Sequence, residues 1–254
     1  MQSIKEIRRL FEQTEKEQWR ALFSCYAGDG RTGVQKLLAQ YERKLQAHHK
    51  EQQRLEKMLL YEKKYGVDYH SICGIDEAGR GPFAGPVVAG AVVLPPGLKI
   101  EGLNDSKQVS PRLREELFEE IKEKAVSYGI GISSPARIDE INILQATFEA
   151  MRHAVEDLDV VPDLLLNDAV TIPQIPIRQV GIIKGDAKSL SIAAASIMAK
   201  VTRDRLMVEY AELYPEYAFE SNKGYGSKEH REALLHHGPC PIHRRTFIHN
   251  YIKE

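Results

Sequence analysis

The chain predicts an α/β fold in layers, with helices packed on a central sheet. Two patterns carry that expectation. From residue 67 onward, short apolar runs bounded by Gly, Pro or Asp alternate with amphipathic repeats. Before residue 67, apolar residues recur only at helical intervals. The composition agrees: 254 residues, 43% hydrophobic and 28% charged, suffice for a buried core and exclude a disordered or collagenous chain.

The elements follow in order. Ser3-Ile4-Lys5-Glu6 has capping-box spacing, and Ile4, Ile7, Leu10 and Phe11 continue it as a helix. Trp19, Leu22, Phe23 and Tyr26 repeat the pattern up to Gly28-Asp29-Gly30, and a longer amphipathic stretch runs from Thr32 to Leu59-Leu60. Gly66-Val67-Asp68 marks the expected boundary, which divides the chain into residues 1–66 and 67–254. Beyond it, Ser71–Ile75, Val87–Leu94, Ala125–Ile132, Asp163–Leu166 and Gln179–Ile183 read as buried strands. Helices are expected at Pro111–Lys124, Arg137–Leu158 and from Ala187 to about Leu213, with a basic, His-rich helical stretch at the end.

Charge distribution says more than the net value of −1. Residues 1–66 hold 14 Lys and Arg against 9 Asp and Glu, net +5, and residues 67–254 hold 21 against 27, net −6. Lys223–Lys253 is basic again, with 6 Lys and Arg against 2 Glu and five of the nine His. Basic ends around an acidic middle suit a protein that grips a polyanion and holds a cation at its centre. The first 66 residues read foremost as a small helical accessory region; a nucleic-acid-gripping arm is the sharper alternative and rests on charge alone. No apolar run is long enough to span a bilayer, and MQSIKEIRRLFEQ lacks the apolar block of a secretory signal, so the cytoplasm is the expected location. Cys25, Cys73 and Cys240 form no C-x-x-C and fit neither a zinc ribbon nor a disulfide framework.

Carboxylates stand at the ends of the core strands. Asp76 and Glu77 close the first, Asp168 follows Leu164–Asn167, and Asp186 follows Ile182–Gly185. Ligand sites in α/β sheets gather at strand carboxyl ends. Each acid alone has an ordinary reading as a turn former, and Asp186 also as the N-cap of the next helix. Together, without Cys or His, they are a hard oxygen donor set suited to Mg²⁺ or Mn²⁺. Successive strand residues face opposite sides, so bringing Asp76 and Glu77 to one site requires a bend just after Asp76. The following Ala78-Gly79-Arg80-Gly81-Pro82 is a glycine-punctuated loop in which backbone approaches a ligand closely and Arg80 offers a phosphate partner.

GIDEAGRGPFAG (Gly74–Gly85), Asn104-Asp105-Ser106-Lys107, KGDAKSLSIAAASIMAKVTRD (Lys184–Asp204) and Lys223-Gly224-Tyr225 resemble bacterial ribonuclease HII over about residues 70–250. The resemblance implies a ribonuclease H-like mixed central sheet flanked by helices. It also implies a metal-dependent endoribonuclease that acts on the RNA strand of RNA–DNA hybrids and on ribonucleotides embedded in duplex DNA, leaving 3′-OH and 5′-phosphate ends. Asp76, Glu77, Asp168 and Asp186 fall on the family's acidic active-site positions, with two Mn²⁺ or Mg²⁺ ions expected when substrate is bound. Asp76, at the end of the central strand, is the choice for a bridging ligand. Gly79-Arg80-Gly81 falls on the loop that senses a ribose 2′-hydroxyl, and Tyr225 on the tyrosine at the RNA–DNA junction. Asn167-Asp168-Ala169 departs from the more usual Val-Asp-Gly but keeps the acid. The basic helical extension before residue 67 is not expected as a general feature of that family.

Lys107 is a candidate phosphate contact through its motif, Arg244-Arg245 through charge. His236, His237, His243 and His249 lack carboxylate partners at ligand spacing and read as a basic, phosphate-facing surface. Ala193–Ser196 is a small-residue helix face for close packing. The sister ribonuclease HIII is disfavoured by the helical N-terminal region and by Asp at position 186. A hybrid-binding module gains nothing from concentrated acids. A phosphatase for a small substrate has no use for the Gly79–Gly81 loop and Tyr225. A monomer without an obligate protein partner is expected.

Overall fold

VVAGAVV, β-branched and bounded by prolines, reads as a strand buried on both faces, and Val87–Val93 (β2) is buried along its whole length. The computed structural model describes residues 2–251, so the basic stretch's end at Lys253 lies outside the described residues. The chain divides into two compact units, Met1–Arg54 and Leu55–Glu254.

The first unit holds α1 (Ile4–Gln13), α2 (Trp19–Tyr26) and most of α3 (Thr32–Met58). The capping box forms as its spacing requires: Ser3 Oγ accepts from Glu6 N at 3.2 Å, and Ser3 N donates back to the Glu6 carboxylate at 2.7 Å. Ile7, Phe11, Trp19, Val34, Leu37, Leu38, Tyr41 and Leu45 make its core. Phe11 stacks on Tyr41 at 4.3 Å, and Trp19 Nε1 donates to the carbonyl of Phe11.

The second unit opens with α4 (Leu60–Tyr65) and is built on a five-stranded mixed sheet. Its strands are β1 (Ile72–Ala78), β2, β3 (Ser127–Ser133), β4 (Leu164–Asp168) and β5 (Arg178–Ile182), in the spatial order β3-β2-β1-β4-β5. β2 pairs antiparallel with β1 and β3, whereas β1, β4 and β5 run parallel. The helices are α5 (Pro111–Lys124), α6 (Pro135–Glu156), α7 (Leu190–Leu213), α8 (Phe219–Asn222), α9 (Lys228–His237) and α10 (Arg245–Ile248). α7 packs on one face of the sheet: a Cβ at Gly90 would lie 2.5 Å from the Ala195 carbonyl, which is why its partner helix carries Ala193–Ser196. α6 covers the other face through Ala146, Ala150, Met151 and Ala154. Among the described residues no helix is long and apolar enough to cross a membrane.

Three expectations change here. α6 is not one continuous helix: Asn142 sits at φ 69°, and its Oδ1 accepts from Leu144 N and Gln145 N, capping a second half. β1 does not bend after Asp76 but runs on to Ala78, with Asp76 opposite Gly90 and Glu77 opposite Ala89. The N-cap of α7 is Ser189, whose hydroxyl accepts from Ile192 N, so Asp186 is free of that duty in a 3₁₀ turn, Gly185–Ala187. Glu62 of α4 completes the cap by accepting from Ser189 Oγ at 2.6 Å and Ser191 N at 3.0 Å.

Candidate active site

β1 and β4 are adjacent and parallel, so their last residues meet at one edge. Asp76 and Glu77 leave the end of β1, Asp168 ends β4, and Asp186 follows β5. Asp76 is 7% exposed. Burial and then the neighbouring Glu77 push its carboxyl well above the ordinary aspartate range, against the Ser196 hydroxyl that bonds it. The Ser106 hydroxyl stands 3.0 Å behind Ser196. Burial likewise raises Glu77, opposed by Arg80, whose Nη1 lies 3.1 Å from Glu77 Oε1. Asp186 is raised by burial, then by Asp105 and Asp168. Asp168 spends one oxygen on the Gly185 amide, 2.8 Å away. Lys107 is exposed and close enough to lower both Glu77 and Asp186.

Asp76, Glu77 and Asp186 thus each feel Asp168 electrostatically. Yet among the described residues no three Asp, Glu, His or Cys side chains close on one ion-sized point. The straight end of β1 is the reason: Asp76 and Glu77 leave opposite faces, and Glu77 is held by Arg80. The donor chemistry still fits a hard divalent cation, since among the described residues Lys107 and Arg80 are the cations that offset these crowded carboxylates, which burial and mutual repulsion raise.

Beside the acids, the loop after β1 is fastened by two arginines that are completely buried. Arg203 of α7 donates to the carbonyls of Pro86, Ala84 and Lys223 at 2.9–3.0 Å. Arg244 donates to those of Gly85, Arg80 and Gly79 at 2.5–2.9 Å. Gly79 is required by this clamp, because it sits at φ +91° and a Cβ there would overlap Arg203. Gly81 is different: it is exposed, and a Cβ would meet nothing within 4 Å. Tyr225 is 47% exposed, with its ring 6.0 Å from the Arg203 guanidinium.

Arg244 is therefore no phosphate contact, and His243 is no surface group; it is 2% exposed. His236, His237, His249 and Arg245 are exposed. Sequence reasoning missed Ser196 and Arg203. Both lie inside the Lys184–Asp204 motif, and an arginine among the apolar residues of a core helix is the signal that pointed to the second.

Residues 73–250 match the family model for Ribonuclease HII, and residues 3–66 match that for the Ribonuclease HII N-terminal domain. The chain belongs to the ribonuclease HII family. It is an endonuclease of the ribonuclease H class. A Ribonuclease HII of Lachnoclostridium phytofermentans is 61% identical over 89% of this chain and 88% of that one. Another, of Clostridioides difficile, is 51% identical over 98% of both. The crystal structure of ribonuclease H2 from Pyrococcus horikoshii superposes with a TM-score of 0.59 at 31% identity, over 72% of this chain and all of that one. The N-terminal helical region thus has a family model of its own. Ala169 sits at φ +56°, a left-handed conformation in which a Gly would be unstrained.

Proposed function

We propose that this chain is a metal-dependent endoribonuclease of the cytoplasm. It cleaves the RNA strand of RNA–DNA hybrids and duplex DNA at embedded ribonucleotides, and leaves 3′-OH and 5′-phosphate ends. The observation that carries the reading is the gathering of Asp76, Glu77, Asp168 and Asp186 at one sheet edge, beside a backbone loop clamped by Arg203 and Arg244. Those four acids would hold Mn²⁺ or Mg²⁺. When bound, two such ions supply an activated water and stabilise charge on the phosphate and the leaving oxygen. Asp76, held by Ser196 and raised by Glu77, gains most from a nearby cation. Lys107, facing Glu77 and Asp186, contacts a phosphate at the same edge. Selection of RNA falls to the loop: the clamped Gly79 fixes its path, and the open side of Gly81 lets backbone approach a 2′-hydroxyl. Tyr225, half-exposed, stacks on the sugar or base at the junction.

The test is a DNA duplex carrying one ribonucleotide, incubated in EDTA and then with Mn²⁺ or Mg²⁺. Cleavage only with metal, at the ribonucleotide, with an all-DNA duplex left intact, is the expected result. Full cleavage in chelator, or substantial cutting of all-DNA duplex, overturns it. Gly81→Ala is expected to impair cleavage at the lone ribonucleotide while non-specific duplex binding stays as it was.

A further inference from the structure

Behind Tyr225 lies a pair of histidines that the site does not use. His230, on α9, and His243 are 0% and 2% exposed, and their Nε2 atoms are 2.9 Å apart. Tyr217 packs edge-on against His243 at 4.9 Å and Phe219 edge-on against His230 at 5.3 Å, with Phe83 at 5.9 Å from His230.

The partners at either end leave one arrangement of protons. The Cys240 amide donates to His243 Nδ1 at 3.0 Å, with the Cys240 thiol 3.1 Å from the same nitrogen, so that nitrogen is an acceptor and the ring's hydrogen is on Nε2. At the other end His230 Nδ1 lies 2.9 Å from the Tyr225 carbonyl, which can only accept, so His230 carries its hydrogen on Nδ1. His243 Nε2–H then donates to His230 Nε2. The chain runs in one direction: Cys240 amide, His243, His230, Tyr225 carbonyl. A second proton on either ring would set two N–H groups against each other. Burial, which holds both rings below the usual histidine range, acts in the same sense.

The same segment also reaches the other half of the recognition surface. His243 bridges to Ala84, Arg244 N donates to the Phe83 carbonyl, and the Arg244 side chain holds the carbonyls of Gly79 and Arg80. We propose that His230 and His243 are positioning residues: a relay with fixed tautomers that sets Tyr225 relative to the Gly79–Gly81 loop, and with it the preference for a lone ribonucleotide. This deepens the reading of Tyr225 as a substrate contact and rests on it.

Two measurements test the relay. Long-range ¹H–¹⁵N spectra at pH 7 are expected to show His243 protonated on Nε2 alone and His230 on Nδ1 alone. The reverse tautomers, or a doubly protonated ring, would overturn it without reference to substrate. In kinetics, His230→Ala loses the bond to Tyr225, whereas His230→Asn places an amide N–H where Nδ1 was. Relative to an uninterrupted hybrid, His230→Ala is expected to lose about three- to tenfold in single-turnover cleavage at a lone ribonucleotide, the worth of one hydrogen bond. His230→Asn is expected to recover most of it. Equal losses on both substrates, or an Asn variant no better than Ala, would reduce the pair to packing and overturn the proposal. Tyr225→Ala separates the two ideas. If it leaves cleavage unchanged, the reading of Tyr225 as a substrate contact fails, and the tautomers still decide whether the relay exists.

Discussion

The catalytic unit buries charge in two places and treats it in opposite ways. At the sheet edge, Asp76, Glu77 and Asp186 are all raised, with Lys107 and Arg80 as the facing cations. Behind the loop after β1, Arg203 and Arg244 are more deeply buried, yet each places Nε, Nη1 and Nη2 on a backbone carbonyl. A buried charge with each of its nitrogens on a carbonyl is architecture. Burial pushes the arginines toward neutrality too, Arg244 down to about 9 with Arg203 adding to it, so the acids differ in lacking such a set of partners, which marks a candidate ligand site. The arginines hold the loop that the acids need beside them.

The largest effect should come from the acids. Asp76→Asn is expected to lower turnover by orders of magnitude, while hybrid binding and thermal stability are kept or raised. Asp76 titrates above its unfolded value, so its ionisation costs stability as pH rises, and the amide removes that cost. An Asn variant that loses binding and rate equally would break the contrast. Next comes the clamp. Arg203→Met strands the carbonyls of Pro86, Ala84 and Lys223, each at about 1–3 kcal/mol. Urea unfolding should show a loss of several kcal/mol; a Met variant as stable as the parent would make the arginine dispensable.

The third prediction concerns pH. His243 is held down to about 4 when folded, against about 6.5 for a free histidine. Between those values the unfolded chain binds a proton that the folded one refuses, so stability falls as pH drops from about 6.5 to 4, by about 3 kcal/mol. His243→Gln should flatten that slope in urea titrations; an unchanged slope would assign the acid sensitivity elsewhere. A smaller effect is expected at Tyr225, where Tyr225→Ala should remove about 1–3 kcal/mol of stacking, most at RNA–DNA junctions. Equal loss on every substrate would argue for a fold defect. The smallest is in the N-terminal unit. Neutralising exposed Arg8, Arg9, Lys36 and Arg43 to Gln should leave the salt dependence of hybrid binding unchanged, as for solvated helix faces. A log–log slope shallower by nearly one per charge would identify a gripping arm.

Much of the candidate site could be proposed from sequence because its chemistry is local. Val87–Val93 is a β-branched run bounded by prolines, and acids that follow apolar runs mark strand ends before any sheet is drawn. The ribonuclease HII motifs named Gly79–Gly81 and Tyr225 by position. Other readings failed where a residue's meaning lay with a distant partner. Asp186 had the spacing of an N-cap, but Ser189 starts α7 and Glu62 supports it from 127 residues away. Arg244 and His243 had the composition of a basic surface, yet lie inside it.

Sequence alone therefore determined the strand and helix periods, the oxygen-only donor set and the family to which they belong. Each of these is set by side-chain type at short spacing, where burial period and ligand hardness act residue by residue. Only the tertiary structure decided that β1 stays straight through Glu77, that two arginines clamp the loop after β1, and that two buried histidines meet at their Nε2 atoms. Charge on an arginine or a histidine reads as exposed in one dimension. It becomes buried structure only when the fold brings acceptors to it, and most of those here are backbone carbonyls, which no sequence pattern distinguishes.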